Sequence, residues 1–138
     1  MKQASNSNER TMALAEEAVR ILLEKKAKDV RMYEVSAVTS VTDVYINVTG
    51  RSSSHVGALA DETVDKLTEW GREPLHVEGR QDKAWILVDY GDVIINVFDA
   101  PSRDFYQLDR LMPETTLRDI TAIKEEVDRK FDITAKEI

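Results

Sequence analysis

Residues 85–111 read WILVDYGDVIINVFDAPSRDFYQLDRL, and the reading of this stretch decides the fold. AWILVD (84–89) and DVIINVF (92–98) are rich in β-branched and large apolar residues. The tight Tyr90-Gly91 turn between them predicts an antiparallel hairpin inside a sheet. Pro101 and Ser102 then open a short helix, which Pro113 terminates. Buried strands account for Val88, Ile94 and Val97. They account less well for Trp85, Tyr90, Phe105 and Tyr106 alternating with Asp89, Asp92, Asp99, Asp104 and Asp109. Such a mixture is either a catalytic carboxylate cluster or a docking face.

Outward from the hairpin, the hydrophobic period assigns the remaining elements. Ala15, Ala18, Val19, Leu22 and Leu23 recur at helical spacing between Glu9 and about Ala27, with Ser7 or Asn8 as N-cap. DVRMYEVS and VTDVYINVTG switch to a period of two, which puts Val44, Ile46 and Val48 on one face and Tyr45 and Asn47 on the other. Val56, Leu59, Ala60, Thr63, Val64 and Leu67 form an apolar stripe on a helix over 54–70, closed by Gly71. PLHVEG is a further strand, and Thr116 with Asp119 opens a last helix carrying Leu117, Ile120, Ile123, Val127 and Phe131. The predicted order is α-β-β-α-β-β-β-α-α: an α/β domain with a single mixed β-sheet flanked by helices.

The chain has 138 residues, of which 42% are apolar and 33% charged, which suits one domain with one core. No apolar run reaches the roughly 20 residues that span a bilayer. The N-terminus lacks a secretory h-region and the Arg-rich pattern of a transit peptide, so a cytoplasmic location is expected. There are no cysteines, which excludes thiolate catalysis, disulfides and Cys-based zinc sites. The net charge is −7, and the longest basic run is Lys25-Lys26 with Lys28 nearby. Binding held mainly by phosphates needs a basic surface, so little direct nucleic-acid contact is expected, whereas docking on a basic protein is compatible with the charge.

Each constellation has a plain competitor. The TGRSSS junction (49–54) could present helix N–H groups, serines and Arg51 to a phosphate, but capping accounts for the serines, and neither the Walker nor the GxGxxG pattern is present. Asp89 and Asp92 flank a turn and diverge, unlike the carboxylates of a two-metal site. His55 and His76 lack carboxylates at ligand spacing, so no metal and no cofactor is expected. Between Asp82 and Glu114 seven acidic and three basic residues hold more than half of the net charge. In the short helix Phe105, Leu108 and Met112 fall on one face and can be core, while Tyr106 and Leu111 widen the apolar patch beyond one stripe. By pattern alone, docking and core account for the aromatics equally well.

The segments TSVTDVYINVTGRSSSHVGALAD and PLHVEGRQDKAWILVDYGDVIINVFDAPSRDFYQLDRL, in this order, resemble the ribosomal silencing factor family, also called Iojap-like. The resemblance spans about Ala15 to Pro113 and includes Thr42-Asp43, Thr49-Gly50, Val77-Glu78-Gly79, Trp85, Asp89, Gly91-Asp92, Phe98, Arg103, Tyr106, Leu108 and Leu111. It implies a fold similar to nucleotidyltransferases without their catalytic carboxylates, and a protein that is not an enzyme. It further implies binding to a basic protein on the intersubunit face of the large ribosomal subunit, the one numbered fourteen, which blocks subunit joining and represses translation when nutrients are short. Carried over by position, the docking residues are Trp85, Asp89, Tyr90, Tyr106, Leu108 and Leu111, with Asp92, Asp104 and Asp109 as rim charges. A homodimer is compatible with the resemblance. Asn96 and Met112 stand where the family usually has His and Trp, and His55 where it has Arg. Residues 1–8 are expected to be disordered, 9–113 to form the family domain, and 114–138 a helical extension without assigned function. The competing expectation is a small nucleotide- or phosphate-binding enzyme of nucleotidyltransferase type, using TGRSSS with Asp89 and Asp92.

Overall fold

The computed structural model describes residues 8–137, with side chains through Asp132. Its elements run α1 (Glu9–Glu24), β1 (Lys28–Glu34), β2 (Val44–Gly50), α2 (Ser53–Trp70), β3 (His76–Glu78), β4 (Trp85–Asp89), β5 (Val93–Asp99), α3 (Ala100–Tyr106), β6 (Leu117–Arg118) and α4 (Thr121–Glu137). Apart from Asn8, the stretch expected to be disordered lies outside the described residues. Asn8 caps α1, its side chain accepting from the Thr11 N–H at 2.8 Å.

One six-stranded sheet is ordered β3-β4-β5-β2-β1-β6. The β2–β5 pair is parallel and the other pairs are antiparallel. The hairpin expected from Tyr90-Gly91 is β4–β5, with Trp85 opposite Phe98 and Asp89 opposite Ile94. Strand alternation then divides the side chains. Val44, Ile46, Val48, Ile86, Val88, Val93, Ile95 and Val97 face α1 and α2 and meet Leu14, Ala18, Leu22, Val56, Leu59 and Leu67 in one buried core. Tyr45, Asn47, Thr49, Trp85, Leu87, Ile94, Asn96 and Phe98 point to the other face. β5 is buried on both sides, as a central strand beside a parallel neighbour should be.

The ends of α2 follow their sequence signals. The Ser52 hydroxyl accepts from the His55 N–H at 3.1 Å, and Gly71 (φ 120°) closes the helix through its N–H to the Leu67 and Thr68 carbonyls. α4 packs on α1: Val127 is buried, Arg20 pairs with Glu126 at 2.6 Å and Lys130 with Glu24 at 2.9 Å.

Two expected elements differ. The last helix starts at Thr121, not Thr116, because Pro113–Thr116 closes a 3₁₀ turn and Leu117-Arg118 pairs with Tyr33 and Met32 as β6. Asp119 accepts from the Thr121 N–H at 2.9 Å. A two-residue strand carries no period, so no pattern announces it. The short helix after β5 is also not continuous. α3 stops at Gln107, which adopts φ 51° and ψ 43°, and a separate 3₁₀ turn occupies Leu108–Leu111.

Gly79 closes the β3–β4 connection at φ +89°, and a Cβ there would lie 2.1 Å from the Trp85 carbonyl oxygen. Gly71 also has positive φ, but open space surrounds its Cβ position. Gly79→Ala should therefore cost about 1–3 kcal/mol and more than Gly71→Ala, measured as paired shifts in chemical-denaturation midpoint.

Candidate docking site

Among the described residues, no long helix covers the second face of the sheet. Its cover is α3 and the following 3₁₀ turn, and neither would hold itself in place, since isolated helices this short are unstable in water. Asp99 caps α3 by accepting from the Ser102 N–H at 2.8 Å, and Pro101 occupies the first turn. Arg103 then projects down onto the sheet and is 8% exposed. Its guanidinium grips Asp109 of the 3₁₀ turn with both arms, Nε to Oδ2 at 2.9 Å and Nη2 to Oδ1 at 3.1 Å. Nη1 donates to the Asp29 carbonyl at 2.6 Å and the Thr49 hydroxyl at 3.0 Å. This is the planar two-point geometry in which an arginine–carboxylate pair is strongest.

Asp109 accepts further bonds from the Tyr33 hydroxyl (2.8 Å) and the Asn47 amide (3.0 Å). The network continues across the sheet: Asn96 donates to the Asn47 carbonyl oxygen at 3.1 Å and accepts from the Trp85 indole N–H at 2.9 Å. Asn47 and Asn96 are register partners on the parallel β2–β5 pair, and both are buried. Burial by itself would raise the pKa of Asp109. The bonds from Arg103, Asn47 and Tyr33 outweigh it and hold the carboxyl below the ordinary 3.8. Burial and the Asp109 contact together raise the Tyr33 hydroxyl.

On this clamp rests an apolar patch. Trp85 stacks on Phe98 and on Tyr106, each at 5.0 Å between ring centroids, and Tyr106 meets Phe105 edge-on at 5.0 Å. Phe105 is 80% exposed, Leu111 74% and Tyr106 54%, while Leu108 is half-buried. Asp104 is exposed beside them. Open clefts of about 470 and 460 Å³ flank the 3₁₀ turn, the first reaching Arg31 and Arg103, the second Tyr33 and Met112.

The structure thus brings Trp85 and Tyr106 together, with Leu108 and Leu111 on the 3₁₀ turn that follows α3, and places Tyr90 and Asp92 elsewhere. Tyr90 is not on this surface: it is 3% exposed in the core with α1 and α2, where burial pushes its hydroxyl pKa up to about 12. Asp92 is not a rim charge. It pairs with Arg72 at 2.8 Å and accepts from the Thr11 hydroxyl at 2.8 Å, joining the hairpin turn to α1. Burial opposes its charge, but those bonds prevail and lower its pKa. Asp109 is not a rim charge either, being the anchor of the buried network. Asp89 shares the Trp85 face but lies four residues along β4, ~13 Å away. It accepts from the Gly91 N–H at 2.7 Å and lies 3.7 Å from His76.

Phe105, for which the sequence pattern leaves core and docking equally open, is the most exposed of these aromatics. A helical step is about 100°, so with Arg103 facing the sheet, Phe105 points some 200° away and Tyr106 returns toward Trp85. His55, weighed above as a metal ligand, is structural. Its Nδ1 accepts from the Arg51 N–H at 2.9 Å and its Nε2 bonds the Lys25 carbonyl at 2.8 Å.

The depressed pKa of Asp109 fixes the sign of a pH effect. The stabilisation is fully present above the ordinary carboxylate value and is lost as pH falls through the lower, folded-state value. Acid unfolding followed by circular dichroism should contain such a component below about pH 4. Asp109→Asn should abolish that component and, by leaving buried Arg103 with only the exposed Asp29 carboxylate at 3.8 Å, cost on the order of 3 kcal/mol at neutral pH.

Comparison with known proteins agrees with this architecture. Residues 8–137 match the family model described as "Ribosomal silencing factor during starvation", so the match includes α4. A ribosomal silencing factor of Haemophilus influenzae is 35% identical over 100 residues, covering 72% of this chain and 98% of that protein. One of Bacillus subtilis is 32% identical over 97 residues, covering 70% and 82%. A crystal structure of a Chromobacterium violaceum protein superposes with a TM-score of 0.72 at 33% identity, over 74% of this chain and 85% of that one. The chain belongs to the ribosomal silencing factor family.

Proposed function

We propose that this protein docks on the large ribosomal subunit through the α3 face, contacting a basic protein of the intersubunit surface, the large-subunit protein numbered fourteen. Occupation of that surface blocks joining of the small subunit and represses translation in the cytoplasm under nutrient limitation. The observation that supports this reading best is the exposure of Phe105, Tyr106 and Leu111 on a short helix and turn held rigid from beneath. Large aromatic side chains displayed in a fixed geometry bury much area at small entropic cost, which is how interface hot spots work. Asp104, and Asp82 on the β3–β4 loop, place exposed carboxylates beside the patch, among the neighbouring cations Lys83 and Arg110, and rim carboxylates of this kind favour encounter with a basic partner.

The competing reading as a nucleotide-handling enzyme finds less support in the geometry. Asp89 caps the hairpin turn and Asp92 is held by Arg72 and Thr11. The two carboxylates therefore serve separate structural contacts and do not converge on a shared site. The relatives from Bacillus subtilis and Haemophilus influenzae are named as silencing factors, which favours the docking reading.

Phe105→Ala and Leu111→Ala should each weaken binding to isolated large subunits by about 2 kcal/mol. Their melting temperatures should move little, since both side chains are exposed in the free protein. Co-sedimentation with large subunits, alongside light scattering of subunit association, checks this. Normal sedimentation of the double variant would place the docking surface elsewhere.

A further inference from the structure

The net charge of −7 conceals a segregated surface. A cleft of about 190 Å³ opens between the end of α1, the start of α2 and α4, and Lys26, Arg51 and Lys124 line it. Lys25 and Lys28 adjoin it on either side of the Lys26-Ala27 turn. Asp128 is the carboxylate that also lines the cleft, and Val127 and Phe131 form part of its floor, with the Lys26 ammonium 3.9 Å over the Phe131 ring. Neighbouring carboxylates are engaged elsewhere: Glu24 with Lys130, Asp29 with Arg31 and Glu62 with Lys66. Among the described residues no ion pair neutralises Lys25, Lys28, Arg51 or Lys124. Three cations thus line the cleft against one carboxylate on an otherwise acidic protein, with Lys25 and Lys28 next to it along the chain, a concentration of positive charge that attracts an anion.

Size and position narrow the anion. The cleft is smaller than the roughly 300 Å³ at which pockets begin to enclose small-molecule ligands, so a whole nucleotide does not fit inside. An extended polyanion running past its mouth does. Arg51 directly follows Gly50, whose register partner Asp99 caps α3. The cleft and the aromatic patch therefore lie at the same end of the sheet, on its two sides. A body seated on α3 can wrap that end and reach the lysines.

We propose that this cleft holds the phosphate backbone of ribosomal RNA bordering the protein on which α3 docks. The inference rests on the docking reading above. A cationic cleft on one side and an aromatic docking patch on the other match a ribonucleoprotein surface, where protein and polyanionic RNA lie side by side. Linear sequence concealed the cleft, because residues 25–28, 51 and 124 meet only through the packing of α1, α2 and α4.

The test uses the full chain, isolated large subunits and the variant Lys25→Gln/Arg51→Gln/Lys124→Gln, whose substituted side chains are exposed. The slope of log affinity against log salt should fall by about 2–3, close to one unit per lost phosphate contact. Binding at low salt should weaken at least tenfold, while affinity for the isolated basic ribosomal protein stays that of the wild type and the melting temperature is unchanged. Free tripolyphosphate at micromolar concentration should not compete. An unchanged salt slope, an equal loss of affinity for the isolated protein, or competition by micromolar tripolyphosphate would each overturn the proposal. If the wild type fails to sediment with large subunits, the docking reading itself falls and this inference with it. Wild-type binding with an unaffected variant removes the RNA contact alone.

Discussion

The two-armed bond between Arg103 and Asp109 holds the outer face of this protein together. Four positions from two neighbouring strands converge on it: Tyr33 and the carbonyl of Asp29 from β1, and Asn47 and Thr49 from β2. Removing two charges from water costs several kcal/mol each, and the cost is offset only where nearly every donor and acceptor finds a partner. Here both carboxylate oxygens and all three guanidinium nitrogens are engaged. Hydrophobic burial could not do the same work. α3 and the 3₁₀ turn present their apolar groups outward, so polar contacts beneath must supply the attachment.

That inversion explains where sequence reading succeeds and where it stops. The stripe of α2, the hairpin at Tyr90-Gly91 and the alternation of Val44, Ile46 and Val48 are periodic over many residues, and each forms as expected. α3 has seven residues, too few for period to distinguish inside from outside. Its orientation is set by Arg103, a residue that charge-based reasoning assigns to solvent. Phe105, which the pattern left open between core and surface, therefore emerges into solvent, and Asp109, counted among surface charges, turns inward. Tyr90 errs in the other direction, because a tyrosine beside a turn reads as exposed until α1 and α2 are packed over it. The Asn47–Asn96 contact joins residues 49 positions apart and becomes visible only when β2 and β5 are known to be parallel neighbours.

Residues grouped by family resemblance take different places in the fold. Trp85 and Tyr106 meet in space, whereas the neighbouring Tyr90 and Asp92 stabilise the opposite side of the sheet. Residues that keep their order along the chain can thus belong to different parts of one design. Trp85 combines both functions: one flank supports Tyr106, and its indole N–H is committed to Asn96.

The row of bonds from Trp85 through Asn96 and Asn47 to Asp109 also has a direction. An indole can only donate and a carboxylate can only accept, so the donor end and the acceptor end are chemically fixed. The two amides between them are left a single compatible orientation, each oxygen toward the indole and each nitrogen toward the carboxylate. Neither can flip alone without setting oxygen against oxygen or nitrogen against nitrogen in a site closed to water. The row behaves as a ratchet rather than a hinge: the ring that carries the aromatic patch and the carboxylate that pins α3 hold each other's orientation, and neither can be reset independently.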